Sequence, residues 1–403
     1  MASISTDNPG SWLRPGERVF VGAASNEPLG LLDALRPGVP TGVEFIQFPL
    51  RGLNGTDFTA WGPSVRQTTV FMTPALGKAD PQRLAFLPLG MRAFYDYLRT
   101  DIDVALIQVA MDAQGNLRSG PNVDFLTALL NSRARIYAER VTGATAPVGA
   151  PLVSPNRLAG VFESPREFLP LDLPLIDDTA AAIAAQVAEV IQDGDCLQTG
   201  VGAIPAAILQ ALDQHNDLGW HGGLVDDAVL RLIERGNVNG LQKSIDPGVH
   251  VAGMALCSTA GYDRLAELAS LSFRSADYTH SYEVLRTIDR FVSINGALEV
   301  DLSGQINAEV AGGRQLAGTG GAVDFMRGAR ASAGGRSIVA LPATARGGSV
   351  SRIVPQVEHV TALRTDVDLV ATEYGVADLR HASLAERRER LRAIAAPVFR
   401  DQL

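Results

Sequence analysis

The sequence predicts an α/β protein built from two similar open α/β domains, and three observations carry that expectation. A Gly-punctuated strand-to-helix pattern occurs twice, and a strand, turn and strand pattern also occurs twice, in the same order. In addition, 403 residues at 46% hydrophobic content hold enough apolar side chain for two cores rather than one. In the first pair, residues 18–21 (RVFV) run through Gly22 into a helix carrying Leu29, Leu32 and Leu35. Residues 197–199 run likewise through Gly200 into a helix with Pro205 near its start. Gly16 pairs with Gly194 and Gly22 with Gly200, an offset of 178, and one deletion later residues 28–35 pair with 205–212. In the second pair, the buried-strand patterns 103–110 and 291–298 lead into Asp-x-x-Gly turns. Asp112 then pairs with Asp301 and Gly115 with Gly304, both at an offset of 189. Recurrence in register marks an internal duplication.

Taken in order, residues 18–21 read as a strand after the turn Arg14-Pro15-Gly16, and 22–28 as a loop. Helical patterns cover 81–100 and a strand lies near 135–140. A Pro-rich passage, 165–178, separates a first domain over 1–175 from a second over 176–403, the latter opening with a helix over 179–191. The turn Gly200-Val201-Gly202-Ala203 comes next. A strand leaving through Gly-x-Gly into a helix leaves backbone N–H groups pointing outward, which suits an anion or a developing oxyanion; a tight turn without a ligand is the other reading. A helix over 225–235 and a strand ending at 256 follow. The most Gly-rich segments, 312–321 and 345–349, fall at strand ends, where open α/β sheets bind ligands. Glycine at that density lets backbone approach a bulky ligand, and Arg314, Arg327, Arg346 and Arg352 are candidate phosphate partners among them. Strands are expected at 337–341 and 367–371, and residues 373–380 read as a site loop or a helix start. The mixed charges of 386–392 (ERRERLR) read as the solvated face of a last helix.

Composition removes several function classes. A formal net charge of −9 leaves no basic stripe for nucleic acid. No apolar run approaches the roughly 20 residues needed to span a bilayer, and residues 1–12 lack the basic-then-apolar pattern of a secretory leader, so the cytoplasm is the expected location. Cys196 and Cys257 are too few for a disulfide framework and lack metal-ligand spacing; they are expected in the core, and no metal is expected.

Together the segments LQTGVGAIPAAIL, SINGALEVDLSGQINAE, GGRQLAGTGGAVDF, SIVALPATARGGSVSRIVP and TEYGVADLR resemble the acetyl-CoA hydrolase/transferase family, which includes 4-hydroxybutyrate CoA-transferase. The resemblance covers nearly the whole chain, more loosely in the first half through RVFVGAASNEP and DVALIQVAMDAQGNLRSG. It implies coenzyme A bound as an acyl-CoA substrate, an active site between two similar domains, and a homodimer or homotetramer. It also implies that amides of Gly200, Val201, Gly202 and Ala203, with Gly320 and Gly321 nearby, polarise the thioester carbonyl. Arg314, Gly318, Gly320, Gly321, Arg346, Gly347 and Gly348 would hold CoA.

In that family a glutamate in a loop reading roughly G-x-H-T-E-M attacks the thioester and becomes a glutamyl-CoA intermediate. Laid on this chain, the loop is Gly219-Trp220-His221-Gly222-Gly223-Leu224, which keeps the histidine and puts Gly223 where the nucleophile is expected. Covalent catalysis needs a side chain that glycine does not have. The expected chemistry is therefore direct transfer of the acyl group to water or to a small amine or alcohol. His221 is the expected general base, although it is equally read as a loop anchor. Trp220 either shapes an acceptor pocket or is buried. Asp227 is expected to cap the following helix, leaving Asp226 the freer carboxylate. Asp226 and Glu299 are the candidates for a relocated nucleophile in a conventional carboxylate CoA-transferase, and a catalytically silent CoA-binding protein is a third reading. The first-half segment Glu139-Arg140-Val141-Thr142 departs from the Ala-Glu-Val-Asn pattern expected there.

Overall fold

The computed structural model describes residues 11–172 and 174–403. The leader-free reading of residues 1–10 falls outside the described residues, as does Leu173 in the Pro-rich passage. The chain divides into two compact units, Met1–Leu171 with Gly253–Asp277, and Asp172–Ala252 with Tyr278–Leu403.

The first unit is organised on β1 (Arg18–Val21), whose buried Val19, Phe20 and Val21 leave no polar face. It is flanked in parallel by β2 (Glu44–Gln47) and β5 (Val104–Met111), with Val19 opposite both Phe45 and Val104. Outward from β2 come β3 (Arg66–Thr69) and β4 (Leu84–Phe86). Beyond β5 lie β7 (Arg135–Val141) and β8 (Leu158–Ser164), while β6 (Leu117–Ser119) pairs antiparallel with β5. Parallel strands buried on both faces read as continuous apolar runs, which is why VALIQVAM was recognisable. Helix α1 (Leu29–Leu35) packs Leu31, Leu32 and Leu35 with Val19, Val21, Phe45 and Phe58. Residues 81–100 are not helical throughout: β4 pairs along β3, and α2 (Met91–Leu98) begins only after Pro88, because Leu84, Ala85 and Phe86 find strand partners in Gln67, Thr68 and Thr69. The short helix α3 (Leu126–Leu130) follows β6.

The second unit repeats the plan. Helix α4 (Asp178–Ala188), capped by Asp177, precedes β9 (Cys196–Thr199). β9 lies parallel between β10 (Gly219–Asp226) and β13 (Phe291–Gly296). Parallel strands β18 (Arg336–Ala340) and β22 (Leu369–Thr372) extend the sheet from β13. The antiparallel β23 (Gly375–Asp378) closes this edge, so residues 373–380 form a strand hairpin and start no helix. The order β2-β1-β5-β7-β8 is matched by β10-β9-β13-β18-β22, giving the duplication in space. Helices α5 (Ala203–Ala211) and α6 (Asp227–Glu234) flank β10 in sequence.

The chain leaves the second unit within β11 (His250–Leu256), runs through α7 (Thr259–Glu267), β12 (Leu271–Phe273) and α8 (Ala276–Thr279), and returns at Tyr278. One cut after residue 175 therefore does not separate the two units. Residues 253–277 belong with the first, where Gly253 O accepts from Val123 N–H at 2.8 Å and Ala255 N–H donates to Pro121 O at 2.7 Å. After α9 (Tyr282–Leu285), the remaining small elements are β14 (Glu299–Asp301), β15 (Ile306–Asn307), β16 (Val310–Ala311) and β17 (Arg314–Gln315). Helix α10 (Ala322–Ala331) comes before β18. Between β18 and β22 lie β19 (Thr344–Ala345), β20 (Val350–Ser351) and β21 (Ile353–Val354). The last helix, α11 (Leu384–Ala393), carries a Ser383–Glu386 capping box and buries only Leu391, as its charge pattern requires. Both cysteines are buried, and burial pushes the Cys196 thiol up to about 12.

Candidate active site

The turn after β9 is built for exposure. Gly202 takes φ +135°, a backbone region closed to most side chains, and from it α5 starts at Ala203. The first N–H groups of a helix have no intrahelical acceptor, so those of Ala203 and Ile204 stay available, while Pro205 has none to offer. Gly200 has nothing within 4 Å of a built Cβ, and Val201 is exposed. Gly200 to Ala203 line one wall of a cleft of about 670 Å³ in the second unit.

The other walls come from the ends of β13, β18 and β22, the carboxyl edge on which open sheets place ligands. Arg346, Gly347 and Gly348 line it, all three with left-handed backbone, at φ +50°, +66° and +89°. Arg352 reaches the same cleft, donating through Nη1 to Ala297 O at 3.3 Å. Its guanidinium is held below its ordinary basicity by burial, against the opposing pull of Glu299 and Glu373. Glu373 also lines the cleft, with Oε2 accepting from Ala343 N–H at 2.8 Å. Glu373 opens the segment 373–380, which the sequence reads as a site loop or a helix start without singling this residue out.

The segment laid on the family loop is part of strand β10. Alternation along it separates two faces. Trp220 is fully buried, its Nε1 donating to Leu224 O at 3.0 Å, and takes the core role of its two readings. On the opposite face, His221 is buried with its ring centroid 5.8 Å from that of Tyr278 and 6.3 Å from that of Phe291. Two residues on, a Cβ built on Gly223 would stand 3.3 Å from His280 Nε2 and 3.6 Å from Phe325 Cε2. The same imidazole lies against Gly321, too close for any side chain there. Gly223 and Gly321 therefore meet around His280, a residue the sequence did not single out. Burial holds its pKa at about 3, so the ring is neutral, and Nδ1 is 2.8 Å from Thr279 Oγ1. Among the described residues, neither His221 nor Gly223 lines the cleft.

The helix cap is the reverse of the expectation. Asp226, not Asp227, is the N-cap of α6: its Oδ1 accepts from Ala228 N–H and Val229 N–H, both at 3.0 Å. β10 stays extended to Asp226, which makes Asp227 the first helical residue and buries it. Asp226 is consequently not a free carboxylate, and burial raises its pKa. Glu299 is half-buried on β14, accepting from Asn307 Nδ2 at 3.0 Å. Arg314 is exposed on the β16–β17 hairpin and Arg327 pairs with Asp366 at 3.1 Å; neither they nor Gly318, Gly320 and Gly321 are on the cleft wall. Among the described residues no group of His, Cys, Asp or Glu is arranged to hold a metal, and no helix is long and apolar enough to cross a membrane.

Residues 258–403 match the profile of the acetyl-CoA hydrolase/transferase C-terminal domain. The 4-hydroxybutyrate coenzyme A transferase of Clostridium kluyveri is 32% identical over 99% of this chain and 96% of its own length. The chain belongs to the acetyl-CoA hydrolase/transferase family. That membership makes it an enzyme of the acyl-CoA transferase/hydrolase class. The crystal structure of RipA from Yersinia pestis matches 98% of the chain and 94% of its own at a TM-score of 0.91 and 28% identity. A 4-hydroxybutyrate CoA-transferase from Porphyromonas gingivalis matches 98% of the chain and 95% of its own at a TM-score of 0.81 and 30% identity. These structures have the CoA-transferase fold, and the chain shares it.

Proposed function

We propose that this member of the family transfers the acyl group of a CoA thioester directly to water or to a small amine or alcohol, without a glutamyl-CoA intermediate. The observation that carries the reading is position 223. A glycine stands there, and the space beside it is held by the neutral imidazole of His280. No carboxylate projects from that position to attack a carbonyl carbon.

In this reading the thioester oxygen lies against the open amides of the Gly200–Ala203 turn, which stabilise the charge that develops as the carbonyl carbon becomes tetrahedral. Arg346, Gly347 and Gly348 face the phosphate-bearing part of CoA. The acceptor's lone pair forms the new bond to carbon, the C–S bond breaks, and the acceptor's proton goes by way of a base to the departing thiolate. His221 and His280 are both buried and neither lines the cleft, so the base of this reading is water or Glu373, which does line it. His221 lies on the same face of β10 as Gly223, against Tyr278 and Phe291.

A second reading, a carboxylate CoA-transferase with a relocated nucleophile, is favoured by one observation. Glu299 acts electrostatically on Arg352, which lines the cleft. Asp226 is a poor candidate for that role because its Oδ1 is committed to two backbone donors.

The experiment is to follow free thiol with a panel of acyl-CoAs and acceptors, then to treat the protein with borohydride during turnover and weigh it. Thiol release that depends on amine, alcohol or water, with an unmodified polypeptide, is expected. Exchange of CoA between carboxylates with a reduced carboxylate on Glu299 would replace this reading by the second. Stabilisation by acyl-CoA with no turnover under any acceptor would leave a silent CoA-binding protein.

A further inference from the structure

The first unit contains a second cavity, of about 40 Å³, which shares no lining residue with the cleft and lies beside the turn after β1. Phe20, Phe48 and Phe125 form its apolar wall, and Asn26, Gln108, Ser119 and Asp124 its polar one. All four polar residues are at least nine-tenths buried. Five of their atoms, Asn26 Oδ1, Gln108 Oε1 and Nε2, Ser119 Oγ and Asp124 Oδ1, have no hydrogen-bond partner among the described residues. An unsatisfied buried polar atom costs about 1–3 kcal/mol, and five around one cavity call for a polar occupant.

The chemistry of the set is specific. Asn26 Nδ2 donates to Asn122 O at 2.7 Å, which fixes Oδ1 as an acceptor facing the other way. Gly120 brings a second acceptor beside it: a Cβ there would stand 2.5 Å from Asn26 Oδ1 and 2.7 Å from Gln108 Oε1, so any other residue would push the two oxygens aside. The Asp124 carboxyl supplies a third, and burial with no opposing cation or donor pushes its pKa up to about 8. Asn26 Oδ1, Gln108 Oε1 and Asp124 Oδ1 give three oxygens able to accept from one cationic group once Asp124 is ionised, and the cavity is otherwise walled by aromatic rings. A cavity of this size accommodates about three water-sized groups.

We propose that this cavity binds the ammonium end of a small primary amine, whose three N–H groups are shared among Asn26 Oδ1, Gln108 Oε1 and Asp124 Oδ1. The inference stands apart from the acyl-CoA reading, since it uses none of the cleft residues. Entry of the cation displaces the Asp124 proton to solvent and leaves a charge-assisted contact, while Ser119 and Gln108 Nε2 face the carboxylate or a remaining water.

The test is calorimetric titration of the full chain with ethylammonium chloride, with ethanol as the neutral analogue and potassium chloride at equal ionic strength. Saturable binding of one ethylammonium per chain is expected, with no saturable binding of ethanol or potassium. Asp124→Asn keeps the shape and is expected to weaken binding by about tenfold or more, the loss of a charge-assisted contact. Should that variant not fold, nuclear Overhauser contacts between the ethylammonium methyl group and the Phe20 and Phe125 rings in the unaltered protein decide the matter. Equal binding of ethanol, an unchanged affinity in Asp124→Asn, or an absence of those contacts would overturn the proposal and leave water as the occupant. Any of these results can occur with acyl-CoA turnover intact, so the two readings fail separately.

Discussion

The turn after β1 and the turn after β9 descend from one pattern and have opposite fates. In the first unit the turn is folded shut. Gly22 N–H donates to Leu106 O at 2.8 Å, and Ala24 N–H to Asn54 Oδ1 at 2.8 Å. A separate short turn, Ala24–Asn26, delays α1 until Leu29. The start of α1 then meets an anion from its own chain: Glu139 Oε2 accepts from Leu31 N–H at 3.0 Å, with Arg166 Nε 2.6 Å from the other oxygen. In the second unit, α5 begins at once from Gly202 and its first amides open onto the cleft. A strand-to-helix turn can offer its amides to an anion only where the protein leaves those donors uncommitted.

The largest expected effect tests the closed turn. Glu139→Gln breaks a fully buried carboxylate's pair with Arg166 and is expected to cost about 3–5 kcal/mol, read as a lower denaturant midpoint with acyl-CoA binding to the native protein retained. The open turn is tested by Gly202→Ala, since φ +135° is strained for alanine. About a hundredfold loss of thiol release is expected, the usual consequence of misplacing oxyanion donors, with a smaller change in thermal midpoint. A loss of stability without loss of rate would end the analogy between that turn and an oxyanion cradle.

The two units should also answer pH in opposite senses. Asp124 in the first has its pKa raised to about 8, so its contribution is complete below the ordinary carboxylate range and is lost as pH rises toward 8. His280 in the second has its pKa lowered to about 3, so its contribution is complete above the ordinary imidazole range near 6.5 and is lost as pH falls toward 3. Each group has a limiting slope of about 1.4 kcal/mol per pH unit within its window. Chemical denaturation across pH should show Asp124→Asn removing a decline that runs as pH rises from about 4 to 8, and His280→Asn removing one that runs as pH falls from about 6.5 to 3. The smallest effect expected is for Asp226→Ala, about 1 kcal/mol from a lost helix cap, with thiol release changed little. Abolished turnover would instead return Asp226 to the catalytic candidates.

How much of this was legible in the sequence follows from how local each signal is. RVFV and VALIQVAM read as strands because parallel strands buried on both faces are nearly continuous apolar runs, and LQT at 197–199 because it stands in register with RVFV before the repeated glycine. The turn Gly200–Ala203 and the segment Arg346–Gly348, which both line the cleft, were nameable because glycine spacing is itself the signal. His280 was not, since its relation to Gly223 and Gly321 spans 57 and 41 residues of chain and exists only after β10, α9 and α10 are assembled. The Asp226 cap was misjudged for a smaller reason. Two adjacent aspartates give the same composition, and only the extent of β10 decides which one precedes the helix. The glycines beside Arg314 have a local use that the sequence did not show: Gly312 and Gly313 donate their amides to Glu358 and turn a two-residue hairpin.

The excursion of residues 253–277 has a consequence for biosynthesis. Ser25 Oγ donates to Ala255 O at 3.0 Å, and Ser275 Oγ donates to Val123 O at 2.6 Å, so the earliest-made half is completed by residues that emerge only after the first strands of the later sheet, β9 and β10, have been translated. At about 5–20 residues per second the nascent chain must hold an unfinished lobe for several seconds. A ribosome stalled near codon 252 should therefore display an immature, protease-sensitive amino-terminal half.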